Sequence, residues 1–303
     1  MKIVFMGTPS YATAILKKLL QSGFEVIAIF TQPDKPVGRK QILTPPDVKQ
    51  FCIDNDLSIE IFQPQKLRDE YNYEILKNLK PDFIIVAAYG QILPANILKL
   101  APCINLHASI LPTYRGASPI HESILNNDNF TGVTSMLMDE GLDTGDILAV
   151  KYLQINKGDD IETLFEKLSN LAAILACETV LSFEIISPLK QNVAKASHCR
   201  KIKKEFGLIN FNDAKEIISK SKAYKIWPGI FLDSGLKLKE IAIKSNNTSN
   251  VAGEILEIRD DCIVVGCVVG EIFVFHVQPA SKQQMKAIDY IRGKRLKVGD
   301  ILS

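Results

Sequence analysis

The chain is 303 residues long, 47% hydrophobic and nearly charge-balanced, with a formal net charge of +2. It can bury one large core or two smaller ones; with no run of eighteen apolar residues and no charged-then-apolar leader, neither a membrane span nor a signal peptide is expected. Its six cysteines lack C-x-x-C spacing, so they read as reduced thiols packed as small hydrophobes in a soluble, cytoplasmic protein.

The first half alternates strand with helix. Apolar strands are expected at Lys2–Met6, Glu25–Thr31, Ile59–Phe62, Asp82–Ala88 and Pro102–Leu106. Helical periodicity lies between them at Tyr11–Leu20, Pro46–Asn55 and Lys66–Leu79. Such alternation implies a mostly parallel sheet covered on both faces, a Rossmann-like α/β domain, with its ligand at the carboxyl ends of the strands. The first turn, Met6-Gly7-Thr8-Pro9-Ser10, is not Gly-x-Gly-x-x-Gly, which argues against a nicotinamide dehydrogenase. Two further strands near 132–138 and 147–153 and a long helix, Ile161–Ile186, complete a domain of residues 1–188. Residues 189–210 are polar and basic, as a linker would be. In 211–303 a helix at Ala214–Lys225 precedes strands near 236–244, 253–258, 262–268 and 271–277, a small β domain.

Three side chains stand out. Residues two apart on a strand share a face, so Asn105 and His107 project together while Leu106 points into the core. Asp143, in a loop flanked by Gly141 and Gly145, can reach the same place. Acyl transfer to an amine develops negative charge on the carbonyl oxygen. A preorganised amide donor such as Asn105 is worth about 3 kcal/mol of that barrier. His107 can share the stabilisation or move the proton that the amine must lose. Asp143 would fix the imidazole tautomer, raise its basicity or hold a relay water. Taken singly, each has a plainer reading: a turn asparagine, a structural histidine and an Asx turn.

Asn105-x-His107, the run Ser109-Ile110-Leu111-Pro112-x-x-Arg115-Gly116 and Asp143 together resemble the signature of the folate-dependent formyltransferases. Phe5-Met6-Gly7-Thr8-Pro9, Gln32-Pro33-Asp34-Lys35-Pro36-Val37-Gly38-Arg39, Val86-Ala87-Ala88-Tyr89-Gly90-Gln91-Ile92-Leu93-Pro94 and Gly141-Leu142-Asp143-Thr144-Gly145-Asp146 are similar to the tRNA-formylating branch of that family. The resemblance implies transfer of a formyl group from 10-formyltetrahydrofolate to the α-amino group of methionyl initiator tRNA, by a monomer without a metal. Asn105, His107 and Asp143 would be catalytic. The folate pterin would lie against the turn Ala88, Tyr89, Gly90, Gln91 and Ile92 and the loop that starts at Asp139, with Ser109, Ile110, Leu111 and Pro112 lining the same pocket. The C-terminal part would be a β-barrel of the oligonucleotide-binding type. His121, His198 and His276 lack partner patterns and read as structural.

Charge distribution bears on the acceptor. Residues 1–197 carry 18 Lys+Arg against 22 Asp+Glu, and residues 198–303 carry 18 against 12. A basic C-terminal third suits a phosphate backbone, or is simply a solvated basic domain. The resemblance puts tRNA contacts at Arg39 and Lys40 in the long Gln32–Pro46 loop, and the basic stretches add Lys203, Lys204, Lys282 and Lys286. This loop has fewer charges than the family pattern: Lys40-Gln41-Ile42 stands where a glycine and two lysines are commoner. An amino-sugar N-formyltransferase and a folate hydrolase would share the Asn105, His107 and Asp143 constellation. A non-catalytic RNA-binding protein would not need it.

Overall fold

The apolar strands of the first half assemble into one sheet. The computed structural model describes residues 1–38 and 40–303; Arg39, one of the expected tRNA contacts, lies outside the described residues. In chain order come β1 (Lys2–Gly7), α1 (Ser10–Gln21), β2 (Glu25–Phe30), β3 (Lys35–Val37), β4 (Ile42–Thr44), α2 (Asp47–Asp54), β5 (Glu60–Phe62), α3 (Glu70–Leu79), β6 (Phe83–Ala87), α4 (Ala95–Leu98) and β7 (Cys103–His107). Then follow β8 (Arg115–Gly116), α5 (Pro119–Leu125), β9 (Phe130–Leu137), β10 (Ile147–Gln154), α6 (Ile161–Ser182) and β11 (His198–Cys199).

The seven-stranded sheet has the order β10-β9-β7-β6-β1-β2-β5. Strands β7 through β5 pair in parallel, and β9 and β10 add an antiparallel edge. The expected mostly parallel, Rossmann-like sheet is therefore present. Its central strand β6 is buried along its whole length, because helices cover both faces and leave no solvated side to alternate with. Each of its fully buried isoleucines, Ile84 and Ile85, contributes roughly 1.5–3 kcal/mol relative to exposure. Helix α1 buries Tyr11, Ala12, Ile15, Leu16 and Leu19, one stripe of a 3.6-residue repeat. Gly7 permits its close approach, since a Cβ there would meet the Ala12 Cβ at 2.5 Å.

Two compact units divide the chain. One comprises Met1–Pro119, Phe130–Ile155 and Leu164–Arg200; the other comprises Ile120–Asn129, Asn156–Thr163 and Lys201–Ser303. Helix α6 with its 3₁₀ extension, Ile161–Ile185, is long and apolar enough to cross a membrane by length and composition, yet half of its most apolar window is buried inside the protein. Buried Leu164, Leu168, Ala172, Leu175, Ala176 and Val180 mark it as a core helix.

The second unit adds α7 (Ala214–Ala223), β12 (Ile230–Phe231), β13 (Lys237–Ser245), β14 (Ile255–Ile258), β15 (Ile263–Gly266), β16 (Glu271–Gln278), β17 (Met285–Lys286) and α8 (Ala287–Lys294). Its sheet runs β12-β13-β16-β15-β14, with β17 also on β16, and the pairings are antiparallel. Ile255, Ile263, Val265, Ile272, Val274 and Val277 fill the interior, giving the barrel-like domain of the oligonucleotide-binding type. Asp213 caps α7 by accepting from the Lys215 and Glu216 N–H groups. Helix α8 is held by its buried Ala287, Ile288 and Ile291. All six cysteines are free and buried, and burial pushes the Cys103 and Cys267 thiols up to about 12.

His121, on α5, stacks near Tyr224 with ring centroids 6.3 Å apart. Burial lowers its pKa from 6.5 to about 4. Between those values the unfolded chain binds a proton that the folded chain refuses, so stability falls as pH drops through the window. The melting temperature should therefore fall further between pH 7 and pH 4 in the native chain than in a His121→Phe variant. Equal acid-side losses by thermal circular dichroism would clear His121 of this role.

Candidate active site

Strand β7 places Asn105 and His107 at its carboxyl end, two residues apart on one face. Asp143 arrives from the loop between β9 and β10, in a left-handed backbone conformation with φ +54°. Its Oδ1 accepts a hydrogen bond from Asn105 Nδ2 at 3.3 Å. Its Oδ2 accepts from the Gly116 N–H at 2.8 Å and lies 3.7 Å from His107 Nδ1. The three residues singled out in the sequence thus converge, and His107 and Asp143 are buried.

The tautomer of His107 has a cause other than the one expected. Its Nε2 sits 2.9 Å from the Tyr114 carbonyl oxygen, which can only accept, so Nε2 carries the proton. At 3.7 Å the Asp143 carboxylate is beyond hydrogen-bonding distance of Nδ1. The Tyr114 carbonyl is one of several contributors without a strong sequence signal. Gly116, with φ +118°, is another: a Cβ there would collide with the Cys199 carbonyl oxygen. Gln191 is a third, its Nε2 donating to the carbonyls of Asp143 at 2.9 Å and Gly145 at 2.7 Å.

The 109–113 turn is held mainly from within. Ser109 Oγ donates to the Thr113 carbonyl at 2.6 Å, and Thr134 Oγ1 bridges the Ser109 carbonyl and the Leu111 N–H. Ser109 and Leu111 are buried, while Ile110 and Pro112 are half-buried. In the 88–92 turn, Ala88, Gly90 and Ile92 are exposed and Tyr89 faces the core. Burial raises the Tyr89 phenol well above its ordinary pKa, so it stays protonated. Gln91 spends its side chain on the Leu67 N–H and the Pro64 carbonyl, at 2.7 and 2.9 Å. Asp139 shapes the opposite loop by accepting from the Gly141 N–H and Thr144 Oγ1. A cleft of about 450 Å³ is lined by Leu98, Cys103, Leu137, Met138 and Phe183, among others. Cys103 shares the Asn105 face of β7, and Met138 leads into the Asp139 loop.

The long Gln32–Pro46 segment is not a bare loop: β3 and β4 pair as a hairpin. Its base is fixed by Asp34, which accepts from Lys49 Nζ at 2.8 Å and Gln63 Nε2 at 2.7 Å. The Gln63 hydrogen bond, followed by Lys49, holds the Asp34 carboxyl below its usual pKa. Gln32 Nε2 donates to the Tyr89 carbonyl at 3.1 Å, tying the hairpin base to the 88–92 turn. Lys40 is exposed on this hairpin, beside exposed Val37, Ile42 and Leu43. In the second unit Lys203, Lys204, Lys282 and Lys286 are exposed. Lys203 lies 3.5 Å from Glu205, a solvated pair of little energetic weight. Among the described residues, no group of three His, Cys, Asp or Glu side chains is placed to hold a metal ion.

Residues 1–180 match the formyl transferase family, and residues 201–295 match the formyl transferase C-terminal domain. The chain is 59% identical to a methionyl-tRNA formyltransferase from a Nitratiruptor species, over 99% of both chains. It is 51% identical to the methionyl-tRNA formyltransferase of Sulfurimonas denitrificans over 100% of both. Among solved structures it is similar to an N-formyltransferase from Helicobacter canadensis in complex with folinic acid and dTDP-3-aminofucose. That likeness has a TM-score of 0.65 at 18% identity, covers 91% of this chain and 99% of the other, and concerns the fold alone.

Removing the Asp143 carboxylate should leave the Gly116 N–H without its acceptor, and Ala tolerates the left-handed backbone poorly. Asp143→Ala should therefore cost about 1–3 kcal/mol of stability, whereas Asp143→Asn keeps an acceptor and should cost clearly less. Urea unfolding of the two variants compares them directly, and equal losses would refute the bracing role.

Proposed function

The chain belongs to the methionyl-tRNA formyltransferases, and we propose that Asn105, His107 and Asp143 carry its chemistry. It transfers a formyl group from 10-formyltetrahydrofolate to the α-amino group of methionyl initiator tRNA, giving N-formylmethionyl-tRNA for translation initiation. The observation that carries the site assignment is the convergence of an amide, an imidazole and a carboxylate from two chain segments at the end of β7.

In this reading the amine nitrogen bonds to the formyl carbon as the bond from that carbon to folate N10 breaks. The amine loses a proton and N10 gains one. Asn105 spends one N–H on Asp143 and offers its second to the formyl oxygen, where charge develops. His107, protonated on Nε2, takes the amine proton on Nδ1 and returns it to the leaving nitrogen. The Asp143 carboxylate lies 3.7 Å from Nδ1, the nitrogen that takes the proton. The pterin lies against the 88–92 backbone and the 139–143 loop, beside Ser109, Ile110, Leu111 and Pro112. Leu98, Cys103 and Met138 supply a flat apolar wall next to that loop. Cys103 suits the role because burial keeps its thiol neutral.

For the acceptor, we assign Arg39 and Lys40, together with Lys203, Lys204, Lys282 and Lys286, to the phosphate backbone. Residues 1–188 serve as the catalytic domain and 211–303 as the tRNA-binding domain, with 189–210 running between them, its first half fastened to the catalytic domain. The enzyme works as a monomer in the cytoplasm, away from membranes. Buried, free thiols and the burial of α6 in the protein core support that setting.

Formyl transfer from 10-formyltetrahydrofolate should run with methionyl initiator tRNA far faster than with methionyl elongator tRNA or an amino-sugar nucleotide. Transfer to the sugar alone would overturn the acceptor assignment. His107→Ala should lower kcat by roughly 10²–10⁴-fold, and an unchanged kcat would sink the site. Lys282→Ala with Lys286→Ala should raise KM for tRNA and flatten its dependence on salt. The log–log slope should shrink by about 0.7–0.9 for each phosphate that is no longer neutralised.

A further inference from the structure

Every polar function of Gln191 is spent on the catalytic loops. Its Nε2 donates to the Asp143 and Gly145 carbonyls, at 2.9 and 2.7 Å. Its Oε1 accepts from Arg115 Nε at 3.0 Å and Nη2 at 2.7 Å. Arg115 is itself buried, and the next residue, Gly116, gives its N–H to the Asp143 carboxylate. One side chain therefore joins the backbone of Asp143 to the segment that binds its carboxylate.

The rest of the same stretch is fastened too. Leu189 and Ile147 exchange both backbone hydrogen bonds at 2.8 Å. Ser197 accepts the Tyr114 N–H on its Oγ and the Arg115 N–H on its carbonyl, both at 2.9 Å. Strand β11 pairs in parallel with β8. Residues 189–199, expected to be part of a linker, are thus a strap across the back of the site. They hold Tyr114, whose carbonyl sets the His107 tautomer, and Asp143, whose charge faces the ring.

We propose that Gln191 is a positioning residue for formyl transfer: through the Asp143 carbonyl it fixes the left-handed backbone of Asp143, and with it the carboxylate beside Asn105 and His107. The inference rests on the catalytic role assigned to Asn105, His107 and Asp143. The physical warrant is that a catalytic group displaced by about 1 Å loses on the order of 10²-fold in rate. A left-handed Asp persists only where surrounding contacts hold it.

Two variants separate the donor and acceptor halves of this bridge. Gln191→Met keeps the length and removes both halves. Gln191→Glu keeps acceptor oxygens for Arg115 but cannot donate to the two carbonyls. Steady-state formyl transfer to methionyl initiator tRNA is measured with kcat expressed per folded enzyme, the folded fraction being taken from thermal unfolding of the same samples. The His107→Ala enzyme in the same assay tests the underlying reading, so failure of that reading is seen before the Gln191 variants are compared. Both variants should lower kcat by about 10- to 100-fold, with KM for folate and for tRNA within about twofold. Should Gln191→Met fold too poorly to assay, Gln191→Glu decides alone. A Gln191→Glu enzyme with kcat within twofold of wild type, or one impaired only in KM, would overturn the proposal.

Discussion

The Asp143 carboxylate is the hub on which the site depends. A buried carboxylate away from water needs hydrogen-bond donors, or its burial is costly. Here the donors come from β7, through Asn105, and from β8, through the Gly116 N–H. The same two oxygens that are satisfied in this way also set the field at His107. One carboxylate therefore joins β7, β8 and the loop between β9 and β10.

The scaffold around that hub is stiff where it must be. Parallel strands β6 and β7 are anchored by buried apolar residues on both faces, and they deliver the 88–92 turn and His107 to the same end of the sheet. The loops beyond them are braced by short-range polar contacts: Asp139 on its own loop, Thr134 across the 109–111 turn, Gln32 and Thr8 on the Tyr89 carbonyl. Strand β7 supplies two of the functional side chains and the loop after β9 the third, and a rigid sheet fixes where that loop begins.

The second unit follows a different logic. Its core joins isoleucines and valines of a small antiparallel sheet with leucines, Phe211 and the buried faces of α7 and α8, and its exposed lysines lie outside that core. Asn105, His107 and Asp143 all stand in the first unit. The hairpin of β3 and β4 carries both an exposed lysine and exposed apolar side chains, so it combines charge with a surface able to pack against a ligand.

Much of this was legible in the order of residues. Apolar runs of five or six residues separated by helical repeats force a covered parallel sheet, and the strand alternation at 105–107 puts Asn105 and His107 together whatever surrounds them. The Gly-flanked loop marked Asp143 as able to reach the same place. Other features were hidden because their cause is not local. Helix α8 was obscured by its charges, and the hairpin by its prolines. The tautomer of His107 depends on where the Tyr114 carbonyl lands, and the hold on Asp143 depends on Gln191, 48 positions along the chain. The sequence by itself determined which groups were available and on which face of a strand they stood. Only the tertiary structure decided which backbone carbonyl fixes the imidazole and which distant side chain braces the carboxylate, because those hydrogen bonds join segments whose meeting is set by packing rather than by residue type.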